Sequence, residues 1–390
     1  MANVSMAIDF GNLKLRVAVK CDDDIRVLTN AENYRSFPQV LIKTERKVII
    51  GLEAEKNLTG YCNNFFNEFK YNILKKNGDA AEYKEMIVSV LKHFKGISEE
   101  YVKRNLNKNV EKIDTICLSI PFYDRFNDNL WRVLLKSCAE ETGFKQDKVF
   151  FYNDEIAAIV FFNRNFNYNH QFSNAFCVFS LGSLYFSATI FDNEYKNYGI
   201  FPKLTRYEEL RKSNGGRKFF SKLQKLFDQK LNEQLHEFLK DILKPEYHDF
   251  KEMVDYEKLF KNNKKYLAEC YRKYQDVLEG FSGTMDSIQL EFRHYSRMTV
   301  VEPIEITRKE IDEALKDTLN EINIIIDQTK HFLKDKDAHS FNLLIVGNGF
   351  KFPGVKNLFE KEFPEVFHQR NVFYDEEIVQ AILELTNKNK

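Results

Sequence analysis

Apolar and polar residues alternate through "VSMAIDFGNLKLRVAVK", residues 4–20, on both sides of Gly11-Asn12. A period of two is that of a strand, so the stretch predicts a β-hairpin. The pattern returns in "VFSLGSLYFSATIF", residues 178–191, with its turn at Gly182-Ser183. Between the hairpins the period lengthens. "KVIIGLEAEKN" gives a short strand and a helix start. Ile87, Val90, Leu91 and Phe94 then follow i, i+3, i+4, i+7 and predict a helix from about Tyr83 to Leu106. "DTICLSIPF" (114–122) reads as a buried strand closed by Pro121, and residues 127–143 as an amphipathic helix. "KVFFYND" is a short strand, and "EIAAIVFF" the helix that follows it.

Beyond the second hairpin, residues 215–280 are charged and helical in pattern, interrupted only by Pro245. Strand-like segments return around 285–305. "TRKEIDEALKDTLNEINIIIDQTKHFL" predicts one long helix, with Thr307 as N-cap and Glu310 three residues on as a capping box. "FNLLIVGNGF" is a buried strand ending in a Gly-Asn-Gly turn, and "FPGVKNLFEKEF" and "DEEIVQAILEL" are closing helices. The order amounts to one α/β plan given twice. Two such halves would meet at a cleft, the usual place for a ligand.

A chain of 390 residues is too long for one core and suggests two lobes or more. Lys+Arg and Asp+Glu balance at 58 each, which argues against a general nucleic-acid binder and against specific DNA as a partner. No signal peptide and no run of 18 apolar residues is present, so no membrane partner and a cytoplasmic location are expected. The six cysteines are scattered without a Cys-x-x-Cys and sit beside apolar neighbours, which predicts buried thiols. No His stands at ligand spacing with Cys, so no bound metal is expected.

Four segments, in order, resemble the nucleotide-binding domain of the 70-kDa heat-shock chaperone family, within the actin-like ATPase fold. "AIDFGNLKLRVAV" resembles the first phosphate loop and "FSLGSLYFSATI" the second. "SIPFYDRFNDNLWRVLLKSCAEETGFKQDKVFFYNDEIAAIVFF" resembles the intervening strand, turn, helix and Asn-Glu-Pro-type segment. "LLIVGNGFKFPGVKNLF" resembles the adenosine loop and its helix. The resemblance implies an α/β chain of two lobes, each with a mixed sheet and flanking helices, around a central cleft. Lobe I would be 1–172, with core 1–35 and 110–172 and an insert 36–109. Lobe II would be 173–390, with core 173–210 and 300–390 and a helical insert 211–299. No substrate-binding domain is expected. "DFGN", "YND" and "GGR" look most like the 110-kDa exchange-factor branch, and "FGN" also like the ribosome-associated, non-hydrolysing branch.

The resemblance also assigns residues to the nucleotide cleft: Asp9, Gly11, Asn12, Gly182, Gly215, Gly216, Gly347 and Lys351. Lys70 stands for the family's catalytic lysine and Asp154 for its metal-linked glutamate. Each has a plainer reading: Asp9 as a turn residue, Lys70 as a surface lysine, Asp154 as a helix N-cap, and Gly215-Gly216 as a turn.

Phosphoryl transfer needs a metal held by carboxylates and donors on the phosphate oxygens. Much of that is missing. Asn12 and Leu13 replace a pair of threonines, and Ser180 and Ser187 replace both carboxylates of the second loop. Leu184 and Tyr185 put bulk where phosphate would lie. Neutral serine is a poor Mg²⁺ ligand. On the adenosine side, Arg272, Gln275, Asp276 and Glu279 replace the family's glutamate, lysine, arginine and serine. The expectation is a pseudo-ATPase with no required cofactor and at most weak ATP or ADP binding. Its role would be that of a co-chaperone, nucleotide exchange factor or scaffold for a true 70-kDa chaperone, or of a ribosome-associated or other assembly subunit. A divergent but working ATPase relying on Asp9, Lys70 and Asp154 is the alternative. The basic residues Arg211, Lys212, Arg217, Lys218, Lys222, Lys225 and Lys230 look nearly unopposed, and suggest docking on an acidic face or ribosomal RNA, or else a solvated helix face.

Overall fold

The computed structural model describes residues 4–11, 14–57, 65–67, 80–106, 112–120, 125–166, 175–182, 186–194, 203–212, 216–243, 266, 269–270, 272–274, 276–277, 285–292, 302–335, 341–364, 372–373 and 375–386.

The alternating residues 4–21 fold as strands β1 (Val4–Phe10) and β2 (Lys14–Cys21), paired antiparallel from Val4↔Cys21 to Phe10↔Leu15. Strand β3 (Asp24–Val27) extends the meander, and the short β4 (Phe37–Pro38) joins the start of β2. A small antiparallel sheet follows, made of β5 (Val40–Lys43), β6 (Val48–Ile50) and β7 (Phe65–Asn67), with helix α1 (Leu52–Asn57) beside it. Helix α2 (Ala80–Asn105) leads to β8 (Thr115–Ile120), which lies parallel to β1. Helix α3 (Arg125–Glu141) returns the chain to β9 (Val149–Asn153), parallel to β8, and α4 (Asp154–Phe166) leaves it.

The plan then repeats. Strands β10 (Ala175–Leu181), β11 (Phe186–Glu194) and β12 (Lys203–Lys212) form an antiparallel meander. Helix α5 (Gly216–Leu243) follows, then the hairpin of β13 (Ser287–Leu290) with β14 (Ile304–Thr307), then α6 (Arg308–Asp335). Strand β15 (Phe341–Val346) enters parallel to β10. Helix α7 (Pro353–Glu362), β16 (Val372–Phe373) parallel to β15, and α8 (Asp375–Thr386) complete the described elements. The two larger sheets run β3-β2-β1-β8-β9 and β12-β11-β10-β15-β16, so each is an antiparallel meander followed by two parallel strands. The chain is thus mixed α/β, with the same strand order and sense used twice.

Strand alternation sends successive residues to opposite faces, and both faces of both sheets are covered. Met6, Ile8, Val17 and Val19 pack outward against Ile87, Leu91 and Phe94 of α2 and Trp131 of α3. In the second sheet, Phe179, Phe186 and Ile190 pack with Phe219 and Phe227 of α5, Ile322 of α6 and Phe359 of α7. The inner faces meet the same two helices. Ala7, Ala18 and Cys117 of the first sheet and Phe176, Val178 and Leu344 of the second share one buried cluster with Ala157, Ala158 and Phe162 of α4 and Val379 and Ile382 of α8. Small residues on the first sheet let α8 approach closely, and there the Cys117 thiol meets the Thr386 hydroxyl at 2.9 Å. Helix α8 is therefore fastened to the first sheet.

The capping box forms as its spacing predicts. The Thr307 amide donates to Glu310 Oε2 at 2.8 Å, and the Glu310 amide to Thr307 Oγ1 at 3.3 Å. Cys21, Cys117, Cys138, Cys177 and Cys270 are buried thiols outside any disulfide. Burial pushes Cys138 up to about 12 and Cys177 and Cys270 upward as well. Among the described residues, no helix is long and apolar enough to cross a membrane.

Candidate functional site

The C-terminal ends of β1, β8 and β9 form one edge of the first sheet. Asp9 stands near the end of β1, and Asp154 opens α4 directly after β9. Two strand spacings separate β1 from β9, about 10 Å. Two of the carboxylates singled out in the sequence therefore share an edge. Asp154 lies in the first turn of its helix, where a negative charge is favoured by the unpaired backbone N–H groups.

Asp9 is already engaged. In the β1–β2 register it stands directly opposite Arg16, and Ile8 pairs with Leu118, which brings Ser119 alongside it. Alternation puts all three on the inner face, with Ala7, Ala18 and Cys117. Arg16 Nη1 donates to Asp9 Oδ2 at 3.0 Å, and the Ser119 hydroxyl donates to Asp9 Oδ1 at 2.7 Å. Asp9, Arg16 and Ser119 are 7%, 5% and 3% exposed, so the ion pair is shielded from water. The guanidinium also lies close to Gly11: Arg16 Nη1 is 3.6 Å from where a Cβ on that residue would stand. Gly11 itself is required, because that Cβ would approach the Lys14 carbonyl to 2.5 Å.

The second sheet repeats the geometry without the charges. Ser180 and Ser187 face each other in the β10–β11 register, on the face that carries Phe176 and Val178. Ser187 is fully buried, and its hydroxyl has no hydrogen-bond partner among the described residues. Beside them, the Gly182 and Gly347 turns come together. Gly347 has φ +108°, and a Cβ there would sit 2.5 Å from the Leu181 carbonyl oxygen. The Leu181 side chain fills the space over Gly349, 2.3 Å from the Cβ position of that glycine. Leucine thus plugs the turn from below.

A metal–triphosphate fits these residues poorly. Both Asp9 oxygens accept bonds from protein groups, a guanidinium lies beside Gly11, and the paired strands of the second hairpin offer two neutral serines. A nearby pocket of about 180 Å³ is lined by Lys14, Lys56 and Arg272 but equally by Glu32, Glu55 and Asp276, so its formal charge cancels. Lys56 is paired to Glu32 at 2.6 Å. The volume is below the roughly 300–1,000 Å³ of small-molecule pockets. Arg272 and Asp276, which the resemblance assigns to the adenosine side, do reach this pocket next to Lys14 of the first hairpin.

Gly216 is the first residue of α5, and Lys351 lies in the short 3-10 turn Asn348–Lys351 after β15. Asn12, Lys70 and Gly215 lie outside the described residues. The basic stretch requires a correction. Lys218 pairs with Glu321 at 2.8 Å, Lys222 with Asp317 at 3.2 Å, and Lys230 with Glu310. The opposing acids lie on α6, some ninety residues downstream, so local sequence could not reveal them.

Sequence reasoning passed over two residues whose contacts shape this part of the fold. Arg16 reads as an ordinary polar position of an alternating strand, and its signal was its place opposite Asp9 across the turn. Phe220 is the other. It packs on Val40, Ile42, Ile49 and Ala54 of the small sheet and α1, and stacks edge-on against Tyr274 at 5.4 Å. It joins the region after β4 to the helices after β12. No family model matches the chain, and no curated protein is significantly similar to it.

Proposed function

We propose that this chain is a catalytically silent relative of the nucleotide-binding domain of 70-kDa heat-shock chaperones, with the actin-like fold, that works by binding another protein. Its role would be that of a co-chaperone, a nucleotide exchange factor or a scaffold for a true 70-kDa chaperone. The repeated five-strand order and the two helices held between the sheets support the actin-like reading and a lobe boundary near residue 172. One observation carries the pseudo-ATPase reading: the carboxylate that would organise a metal is bound internally by Arg16 and Ser119. Losing one transition-state donor costs roughly 3 kcal/mol, and several are absent here.

A rigid two-lobed body can act through surface shape alone. Phe220 supports this, because an apolar contact joins the two inserted regions without a ligand. The test is a pull-down of the purified chain with the host's 70-kDa chaperone and ribosomes, with and without ATP. The reading expects capture of the chaperone, with any ATP dependence residing in the chaperone. Failure to capture it under either condition contradicts the role. ATP turnover lost on Asp9→Ala would establish a working ATPase instead.

A further inference from the structure

A buried carboxylate needs a countercharge, supplied either by a mobile ion or by a fixed side chain. At the edge of the first sheet the fixed solution is built in. Arg16 and Asp9 are cross-strand partners, so the backbone register itself sets the ion pair. Arg16 Nη1 holds one carboxylate oxygen at 3.0 Å and the Ser119 hydroxyl holds the other at 2.7 Å. The guanidinium also lies close to Gly11, with Nη1 3.6 Å from where a Cβ on that residue would stand.

We propose that Arg16 is a built-in cation: its guanidinium takes the place of a metal ion at Asp9, so this edge carries its own countercharge and recruits no metal. The proposal rests on reading the cleft as a degenerate nucleotide site, and it adds the reason that the site is stable when empty. A metal-dependent cleft changes its charge as ligand comes and goes.

Removing Arg16 while keeping Asp9 takes the guanidinium away from a buried carboxylate, which tests the proposal. Melting temperatures of the full chain, of Arg16→Ala and of the double variant Asp9→Asn with Arg16→Met are compared in millimolar guanidinium chloride, magnesium chloride and sodium chloride at equal ionic strength. Arg16→Ala is expected to melt lower and to recover part of the loss with guanidinium or Mg²⁺ beyond the sodium control. The unmodified chain and the double variant are expected not to respond. An Arg16→Ala chain that melts like the unmodified one, or that neither cation restores, overturns the proposal, as does an equal Mg²⁺ response in the unmodified chain. If Arg16→Ala does not fold, the double variant decides. Folding with a near-normal melting temperature supports the countercharge role, whereas failure to fold overturns it, since Arg16 would then be needed for packing. These readouts contain no ATP, while the pseudo-ATPase reading fails on ATP turnover by the unmodified chain, so the two failures are distinguishable.

Discussion

The carbonyl oxygen of Leu181 occupies the space that a side chain on Gly347 would need, 2.5 Å from its Cβ position. The ends of two parallel strands, β10 and β15, thus rest directly on one another. Gly347→Ala would meet both this clash and an unfavourable φ of +108°. A loss of about 2 kcal/mol or more is expected. Urea denaturation of the variant checks it, with Gly182→Ala as a mild control because no described residue lies within 4 Å of that Cβ position.

Phe220 ties the small sheet to the helical region through Val40, Ile42, Ile49 and Ala54. It is half-buried, so Phe220→Ala should cost about 2 kcal/mol, below the roughly 3–5 kcal/mol of a fully buried phenylalanine. The loss should be local. Hydrogen exchange is expected to quicken at the amides of β5 and β6 while those of β1 and β10 keep their protection.

Two carboxylates on the first turns of α6 respond to pH in opposite directions. Burial tends to raise Glu310, but hydrogen bonds from Lys230 and Thr307 outweigh it and hold its carboxyl below the ordinary value. Its stabilising share is therefore present above the unfolded value and is lost as pH falls through the folded one. Burial pushes Asp312 up, only partly offset by Arg308. Its folded form keeps a proton longer than the unfolded chain does, so stability falls as pH rises through that window. Asp312→Asn is expected to raise the melting temperature at neutral pH, with the gain shrinking as pH drops through the carboxylate range. Thr307→Ala is expected to cost about 1 kcal/mol by removing the capping box.

The thiols offer a simple check on the cores. Burial raises Cys138, Cys177 and Cys270, which keeps them as unreactive thiols. Cys21, Cys117, Cys138, Cys177 and Cys270 are expected to react with Ellman's reagent only when the chain is unfolded.

Periodicity made most of this architecture readable in advance. The hairpins at 4–20 and 178–191, the strands at 115–120 and 341–346 and the long helix from 308 all carry one dominant period. Strand β12 did not, because "KLTRYEELRK" is an edge strand, where charge is favoured to block further pairing. The first carboxylate of the site was legible in Asp9, but the partner that binds it was not. A buried arginine and an exposed one look alike in sequence, and only the register places Arg16 opposite Asp9. Phe220 was hidden for a related reason: its partners lie about 170 to 180 residues earlier in the chain.

Calorimetric titration of Mg-ATP into the purified chain tests the central claim most directly. With Asp9 held by Arg16 and Ser119, and the second turn carrying serines and no carboxylate, the account predicts no tight, saturable binding. A tight saturable isotherm that disappears with Asp9→Ala would contradict it.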